Sequence, residues 1–315
     1  MPTALILGAG LAGLTAAREL TRAGWNVTVV DKGRGVGGRL ATRRLENARA
    51  DHGAQYFTVR TPEFQQVVSE MLGHQIIRKW YLPDSAHPRY VGLGGMSSVA
   101  KYLAKDLPVV TGERIVRLSQ TNGRVVAESE KGTAYRADAV LITAPAPQAL
   151  ALLADSGLSV PEAESALNQI HFEPCIATMV LLREPVSLPE PGAMRFTEGP
   201  IAWVADNQQK GVSPDQPSLT IHATPAFSRE HLEEDMAAVG DQLIRQLSEI
   251  LSPENIQQQQ THRWRYALAS QRFPEPCLLV KTPFPMVFGG DGFGPRGNVE
   301  GAFLSGLAMS ERIKN

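Results

Sequence analysis

Apolar positions near the start of the chain run unbroken, then space out, then run again. Leu5-Ile6-Leu7 and Val27-Thr28-Val29-Val30 are short continuous apolar runs, the pattern of strands covered on both faces. Between them Leu11 to Ala23 carries apolar residues at helical spacing, and Gly24 supplies a stop. Strand, helix, strand predicts a βαβ unit in a parallel sheet. Ala139-Val140-Leu141-Ile142-Thr143 reads as another buried strand, ended by Ala144-Pro145-Ala146-Pro147, with a helix starting at Gln148 to Leu153. Met286-Val287-Phe288 repeats that strand pattern, and a last helix runs from Val299 to Ile313. Gly301 and Gly306 within it fit close packing on the sheet or a cofactor, or plain packing of helix on helix.

The middle of the chain has a different texture. Val109-Val110, Ile115 to Leu118 and Val125 to Ala127 are short β-type runs, with Thr121-Asn122-Gly123 as a hairpin turn. Longer β-type runs follow at Ile176 to Leu182, Ile201 to Ala205 and Leu219 to Thr224. Arg229 to Leu251 predicts one amphipathic helix, with Leu232, Met236, Val239, Leu243, Leu247 and Ile250 on one face. Gln257 to Gln260 reads as a solvated loop or a strand edge. The expected fold class is therefore α/β: a Rossmann-like domain joined to a second, α+β domain built on an antiparallel sheet. The expected boundaries are residues 1–60, 95–155 and 278–315 for the first and 61–94 and 156–277 for the second.

Composition removes several function classes. A length of 315 residues accommodates two domains. A net charge of −1 gives no electrostatic case for nucleic acid or an anionic membrane as partner. The longest apolar stretch, Ala137 to Ala154, is broken by Pro145 and Pro147, so no transmembrane helix is expected. The apolar N-terminus lacks a basic leader and is broken by spaced glycines, which argues against a signal peptide. Cys175 and Cys277 are far apart, so neither a disulfide framework nor a zinc site is expected, and a reducing cytoplasm is the expected location. The histidines show no ligand spacing and no G-x-S-x-G elbow is present, so no metal and no hydrolase chemistry are expected.

The chemistry concentrates at the two ends. Gly8-Ala9-Gly10-Leu11-Ala12-Gly13 is G-x-G-x-x-G between a strand and a helix. Gly8 allows the turn, Gly10 lets a diphosphate approach the backbone, and Gly13 lets the helix pack closely. The N–H groups at the start of that helix face the diphosphate. Asp31 ends the second strand 18 residues past Gly13, where a carboxylate meets ribose hydroxyls, and Lys32 follows it. Then come Gly37-Gly38-Arg39 and Thr42, with Arg39 able to meet a diphosphate in bidentate fashion. At the far end Gly289-Gly290-Asp291 closes a strand before a glycine-rich loop and a helix start at Asn298-Val299-Glu300.

These segments resemble the amine-oxidase-like FAD superfamily, in which G-G-R-x-x-T follows the first βαβ unit (the GR2 type). The resemblance implies non-covalent FAD and a discontinuous site drawn from both ends of the chain. In that fold the acid at Asp291 holds the ribityl chain or diphosphate, and the last helix aims its N–H groups at the flavin N1–C2=O edge. Further segments narrow the likeness: Asp51-His52-Gly53-Ala54-Gln55-Tyr56, Gly94-Gly95-Met96-Ser97-Ser98, Ile221-His222-Ala223-Thr224, Trp264-Arg265-Tyr266 and Phe288 to Phe293. With them the chain resembles the renalases, bacterial members especially, over nearly its whole length.

That resemblance implies oxidation of 2- and 6-dihydro-NAD(P): hydride passes to the flavin N5, and dioxygen then yields hydrogen peroxide and NAD(P)⁺. The implied partners are a dihydronicotinamide nucleotide and O2. Gly53, Ala54, Gln55, Ile115, Gly290, Asn298 and Val299 are then expected near the cofactor, Ile115 beside the adenine. Gln55, Tyr56, His222 and Asn298 are expected to face flavin and substrate. Trp203, Trp264 and Tyr266 line an aromatic cavity or belong to the core. Two alternatives stand beside this reading: another flavin amine oxidase or desaturase-type enzyme, and a non-catalytic protein of the same fold. The second has no use for intact G-G-R and G-G-D segments.

Overall fold

The computed structural model describes residues 1–81 and 87–314. Residues 82–86, within the stretch 61–94 assigned above, lie outside the described residues, as does residue 315. A six-stranded sheet carries the two chain ends. Its order is Cys277–Val280, Met286–Gly289, Ala139–Ile142, Thr3–Leu7, Asn26–Asp31 and Val109–Thr111. All neighbours are parallel except the first pair. The continuous apolar runs are buried on both faces, as parallel strands require. The helix Leu11–Arg22 follows the first strand, and Gly24, at φ +82°, ends it.

A five-stranded antiparallel sheet holds the middle of the chain. Its order is Ala193–Arg195, Ile201–Asp206, Ser218–Ala223, His171–Leu182 and Ile256–Gln271. Gln258 to Gln260 pair with Leu181 to Met179, so the glutamine run is an edge strand, where amides meet water. A smaller three-stranded sheet contains Ile115–Thr121 and Arg124–Ser129. Asn122 (φ 52°) and Gly123 (φ 76°) form its two-residue turn, both left-handed as the type I′ hairpin demands.

One expectation needs correction. The stretch Arg229 to Leu251 is two helices, Pro225–Glu230 and Met236–Arg245, followed by turns. Asp235 caps the second by accepting from the Ala238 N–H at 2.9 Å. Glu233, just before it in the intervening turn, pairs with Arg263 and Arg265 of the edge strand. Val239, Leu243 and Leu247 still point into the core under the antiparallel sheet.

Residues 61–94 touch both sheets: Trp80 donates to the Pro191 carbonyl and lies beside Trp203. The helix Pro62–Gly73 places Phe64, Val68 and Met71 in the same core as Leu14 and Leu20 of the first helix and Phe303 of the last. Its apolar face finds those helices rather than the antiparallel sheet. Val160, Ala163 and Leu167 likewise pack with Leu5 and Leu153 on the parallel sheet. Gly306 sits against the Ala12 carbonyl, so its small size serves close packing of helix on helix.

Candidate active site

The dinucleotide end lies at the carboxyl edge of the parallel sheet, where the strand order reverses between Thr3–Leu7 and its neighbours. The first N–H groups of the first helix, at Leu11, Ala12 and Gly13, have no carbonyl one turn earlier to receive them. A Cβ added at Gly10 would meet nothing within 4 Å, so open space lies over the backbone there. A small cleft at the neighbouring strand ends, where Thr143 meets Gly8, is lined by Thr143 to Ala146, Ile170, Phe172 and Gly289 to Phe293. Thr143 bonds the Leu7 carbonyl at 3.0 Å, which ties this edge to Gly8. Thr143 was not singled out in the sequence; its signal is its place at the end of a buried strand.

Asp31 accepts from the Ala9 N–H and the Gly33 N–H, each at 2.6 Å, one on each carboxylate oxygen. It thus shapes the glycine turn, and each oxygen keeps a lone pair for a hydroxyl. The Gly112 N–H donates to Gly33 at 2.7 Å and the Glu113 N–H to Asp31 at 2.9 Å, which draws the Ile115 segment alongside. Lys32 is exposed and its ammonium donates to Gln148 at 2.9 Å. The glycine pair Gly37-Gly38 enters beside Gly10, with the Gly37 N–H donating to Ala9 at 2.8 Å.

Arg39 and Asp291 meet each other first. The two guanidinium nitrogens reach the two carboxylate oxygens, both at 2.6 Å. Arg39 also donates to the Tyr266 carbonyl at 3.2 Å. The expected free fork toward a diphosphate is therefore committed, and the pair stitches the two ends of the chain together across the cleft. A Cβ added at Gly290, beside Asp291, would approach only the Thr143 carbonyl, at 3.6 Å. Asn298 caps the last helix, its Oδ1 accepting from the Gly301 N–H at 2.9 Å, which leaves its amide NH2 and the Val299 and Glu300 N–H groups at the helix end. Glu300 is buried and accepts from the Arg60 and Thr61 N–H groups and from Arg296.

The floor of the second half of the site is the loop after the hairpin strand Ala48–Asp51. Ala54 donates to the Arg39 carbonyl at 2.8 Å, and a Cβ at Gly53 would collide with that same carbonyl. Gly53 is thus required for the loop to lie against the G-G-R segment. Asp51 is fully buried. One oxygen accepts from the Thr42 hydroxyl (2.6 Å) and the Met96 N–H (2.8 Å), and the other from the Lys210 ammonium at 2.9 Å. Lys210 also donates to the Gln55 Oε1 at 3.2 Å. Gln55 in turn donates to the Asp51 carbonyl at 2.6 Å, so both ends of its amide are held. The segments around Thr42, Asp51, Gly95 and Gln55 are one network, and Lys210 from the antiparallel-sheet side closes it.

The His52 carbonyl accepts two donors from that sheet, the His222 Nε2 at 3.2 Å and the Trp264 Nε1 at 2.8 Å. His222 and Gln55 therefore come together, with their nitrogens 3.4 Å apart. Burial holds the His222 imidazole down at about 4, and the His52 and His262 imidazoles at about 3 and about 4. These rings are neutral near pH 7. His52 stacks on Trp264 with ring centroids 5.2 Å apart, and His262 meets both edge-on. Tyr56 lies 6.0 Å from Trp203, while Tyr266 packs edge-on against Phe172. Among the described residues no group of His, Cys, Asp and Glu could hold a metal ion.

Family models divide the chain. Residues 6–73 match the NAD(P)-binding Rossmann-like domain, and residues 69–314 match the flavin containing amine oxidoreductase model. The chain belongs to the flavin containing amine oxidoreductases. The L-amino-acid oxidase of Sistrurus catenatus edwardsii is 30% identical over 139 residues, 41% of this chain and 26% of its own. The phytoene desaturase of Cercospora nicotianae is 42% identical over 52 residues, 16% of this chain and 8% of its own. The chain thus spans a minor part of these relatives' lengths. Putrescine oxidase bound to putrescine superposes with a TM-score of 0.70 at 15% identity, covering 99% of each chain, which establishes the fold.

The family and the Rossmann-like domain make FAD the cofactor. The open cradle over Gly10, the unpaired helix start and the spare lone pairs of Asp31 suit an adenine dinucleotide with its diphosphate. Bound there, FAD supplies a two-electron acceptor. Among the described residues no helix is long and apolar enough to cross a membrane.

Proposed function

We propose that this flavoenzyme is a renalase-like oxidase of dihydronicotinamide isomers. Its substrate, 2- or 6-dihydro-NAD(P), gives up a hydride and leaves as NAD(P)⁺. Dioxygen and a proton take up the electrons as hydrogen peroxide, so that dihydro-NAD(P) + O2 + H⁺ gives NAD(P)⁺ + H2O2.

One observation carries this reading: Asp51, Lys210 and His222, at the floor of the site, are already committed to partners within the fold. Asp51 is spent on Lys210, Thr42 and Met96; Lys210 is spent on Asp51 and Gln55; His222 donates to the His52 carbonyl. A dihydronicotinamide needs no base, because aromatisation follows directly from loss of hydride. An amine arrives protonated at neutral pH and must shed a proton before oxidation. The neutral floor of Gln55 and His222 suits the first substrate.

The same reading assigns cofactor contacts to Gly8, Gly10 to Gly13, Asp31, Gly53, Ala54, Ile115, Gly290 and Val299. It assigns substrate-facing positions to Gln55, Tyr56 and His222. The same reading has FAD held non-covalently; burial raises both thiols, Cys175 to about 12 and Cys277 to about 11, which disfavours attachment at cysteine. Two free thiols also fit a reducing, cytoplasmic setting. The test is product analysis in air: 6-dihydro-NAD should yield NAD⁺ and peroxide in equal amounts. Peroxide from simple amines, with 6-dihydro-NAD untouched, would favour the other reading in this family, an amine oxidase.

A further inference from the structure

Above the neutral floor stands an aromatic wall capped by two arginines. Tyr56, Trp80 and Trp203 form a three-ring cluster with centroids 6.0 to 6.4 Å apart. The Arg89 guanidinium lies 4.2 Å from the Tyr56 ring and 4.9 Å from the Tyr81 ring. The Arg195 guanidinium lies 5.6 Å from the Trp203 ring. Register explains the convergence. Arg89 pairs with Tyr81 in a hairpin, Arg195 pairs with Trp203, and Trp203 pairs with His222. The wall is therefore one strand away from the histidine on the floor.

Neither arginine forms an ion pair among the described residues; each lies over a ring instead. Trp203 is only 9% exposed, yet its indole N–H has no acceptor among the described residues. Two arginines without an ion pair among the described residues and an idle buried donor on one wall suit an anionic, acceptor-rich partner. An arginine stacked on a ring by its face keeps its edge N–H groups for an oxyanion. A protonated amine finds the ring faces already covered by cations.

We infer that Arg89 and Arg195, on the Tyr56, Trp80 and Trp203 wall, bind the phosphate groups of the substrate. This rests on the reading above that the substrate is a dihydronicotinamide nucleotide. The wall then selects nucleotides over bare dihydronicotinamides and over amines.

The test uses the FAD-loaded protein, Arg89→Met, Arg195→Met and the conservative Arg89→Lys. Binding of ADP-ribose is read from perturbation of the flavin spectrum. Each methionine variant should weaken it by about tenfold or more, and Arg89→Lys should recover part of the loss. Reduction by 6-dihydro-NAD should fall about tenfold further than reduction by 1-methyl-1,6-dihydronicotinamide, which carries no phosphate. Unchanged ADP-ribose affinity in both methionine variants would overturn the inference. So would equal losses with the charged and the neutral reductant, the mark of a packing role. Benzoate binding with the same arginine dependence, and no ADP-ribose binding, would overturn phosphate as the ligand. Arginine-dependent ADP-ribose binding in a protein that no dihydronicotinamide reduces would keep this pocket and sink the proposed reaction instead.

Discussion

Lys210 and Asp51 form an ion pair in which both side chains are fully buried, Nζ to Oδ2 2.9 Å. Burial pushes the Lys210 pKa down and Asp51 pushes it back up. The pair joins the loop that follows the G-G-R segment to a turn of the antiparallel sheet, so it sets where Gln55 stands. Removing one partner leaves a charge in the interior. Lys210→Met should therefore cost roughly 3–5 kcal/mol. Asp51→Asn/Lys210→Met should cost clearly less than the sum of the single changes. Urea midpoints of the four proteins check this; additive losses would contradict it.

Arg39 and Asp291 act as a second clasp, across the cofactor cleft. Asp291→Ala and Arg39→Met should each release FAD on dilution, and the double variant should be little worse than either single one. Flavin retained after gel filtration is the measurement. Full occupancy in Asp291→Ala would remove Asp291 from the site.

Gly10 separates cofactor binding from folding. Its backbone, at φ −75° and ψ 178°, suits any residue, and a Cβ there meets no protein atom. Gly10→Ala should leave the melting temperature of the FAD-free protein unchanged or slightly raised. FAD occupancy should fall, because the methyl group fills the cradle. A loss of apo-protein stability would show that the space over Gly10 serves the fold.

Acid should destabilise the protein earlier than carboxylate titration would. His52, His222 and His262 have pKa values lowered by burial to about 3, about 4 and about 4, against an ordinary value near 6.5. Below about pH 6.5 the unfolded chain takes up protons that the folded one refuses, so stability falls as pH falls from there toward 4. It is fully present above that range. Replacing His222 by Gln should flatten part of this slope in urea titrations between pH 7 and 4.5, while a slope unchanged from wild type would mean that the ring takes up its proton equally in the folded and unfolded chain.

The Asn122-Gly123 turn, the buried runs and the G-x-G-x-x-G were legible because each is local, set by neighbours in sequence. Asp291 was legible for the same reason, at the end of an apolar strand. Its bond to Arg39, 252 residues away, was not. Lys210 left no signal at all: it sits in a polar turn, and its burial depends on Asp51, 159 residues earlier. The single helix expected at Arg229 to Leu251 overlooked a local signal, Asp235, whose carboxylate caps a new helix at Met236. Arg89 and Arg195 become a pair only through two separate strand registers.

The central claim is that the committed floor of Asp51, Lys210 and His222 serves a hydride donor that needs no base. Anaerobic mixing of the FAD-loaded protein with 6-dihydro-NAD, set against putrescine and L-amino acids, tests it most directly. The account predicts rapid bleaching of the flavin by 6-dihydro-NAD, at a limiting rate independent of pH above neutrality, and none by the amines. Bleaching by an amine with a rate that rises as the amine loses its proton, and none by 6-dihydro-NAD, would contradict it.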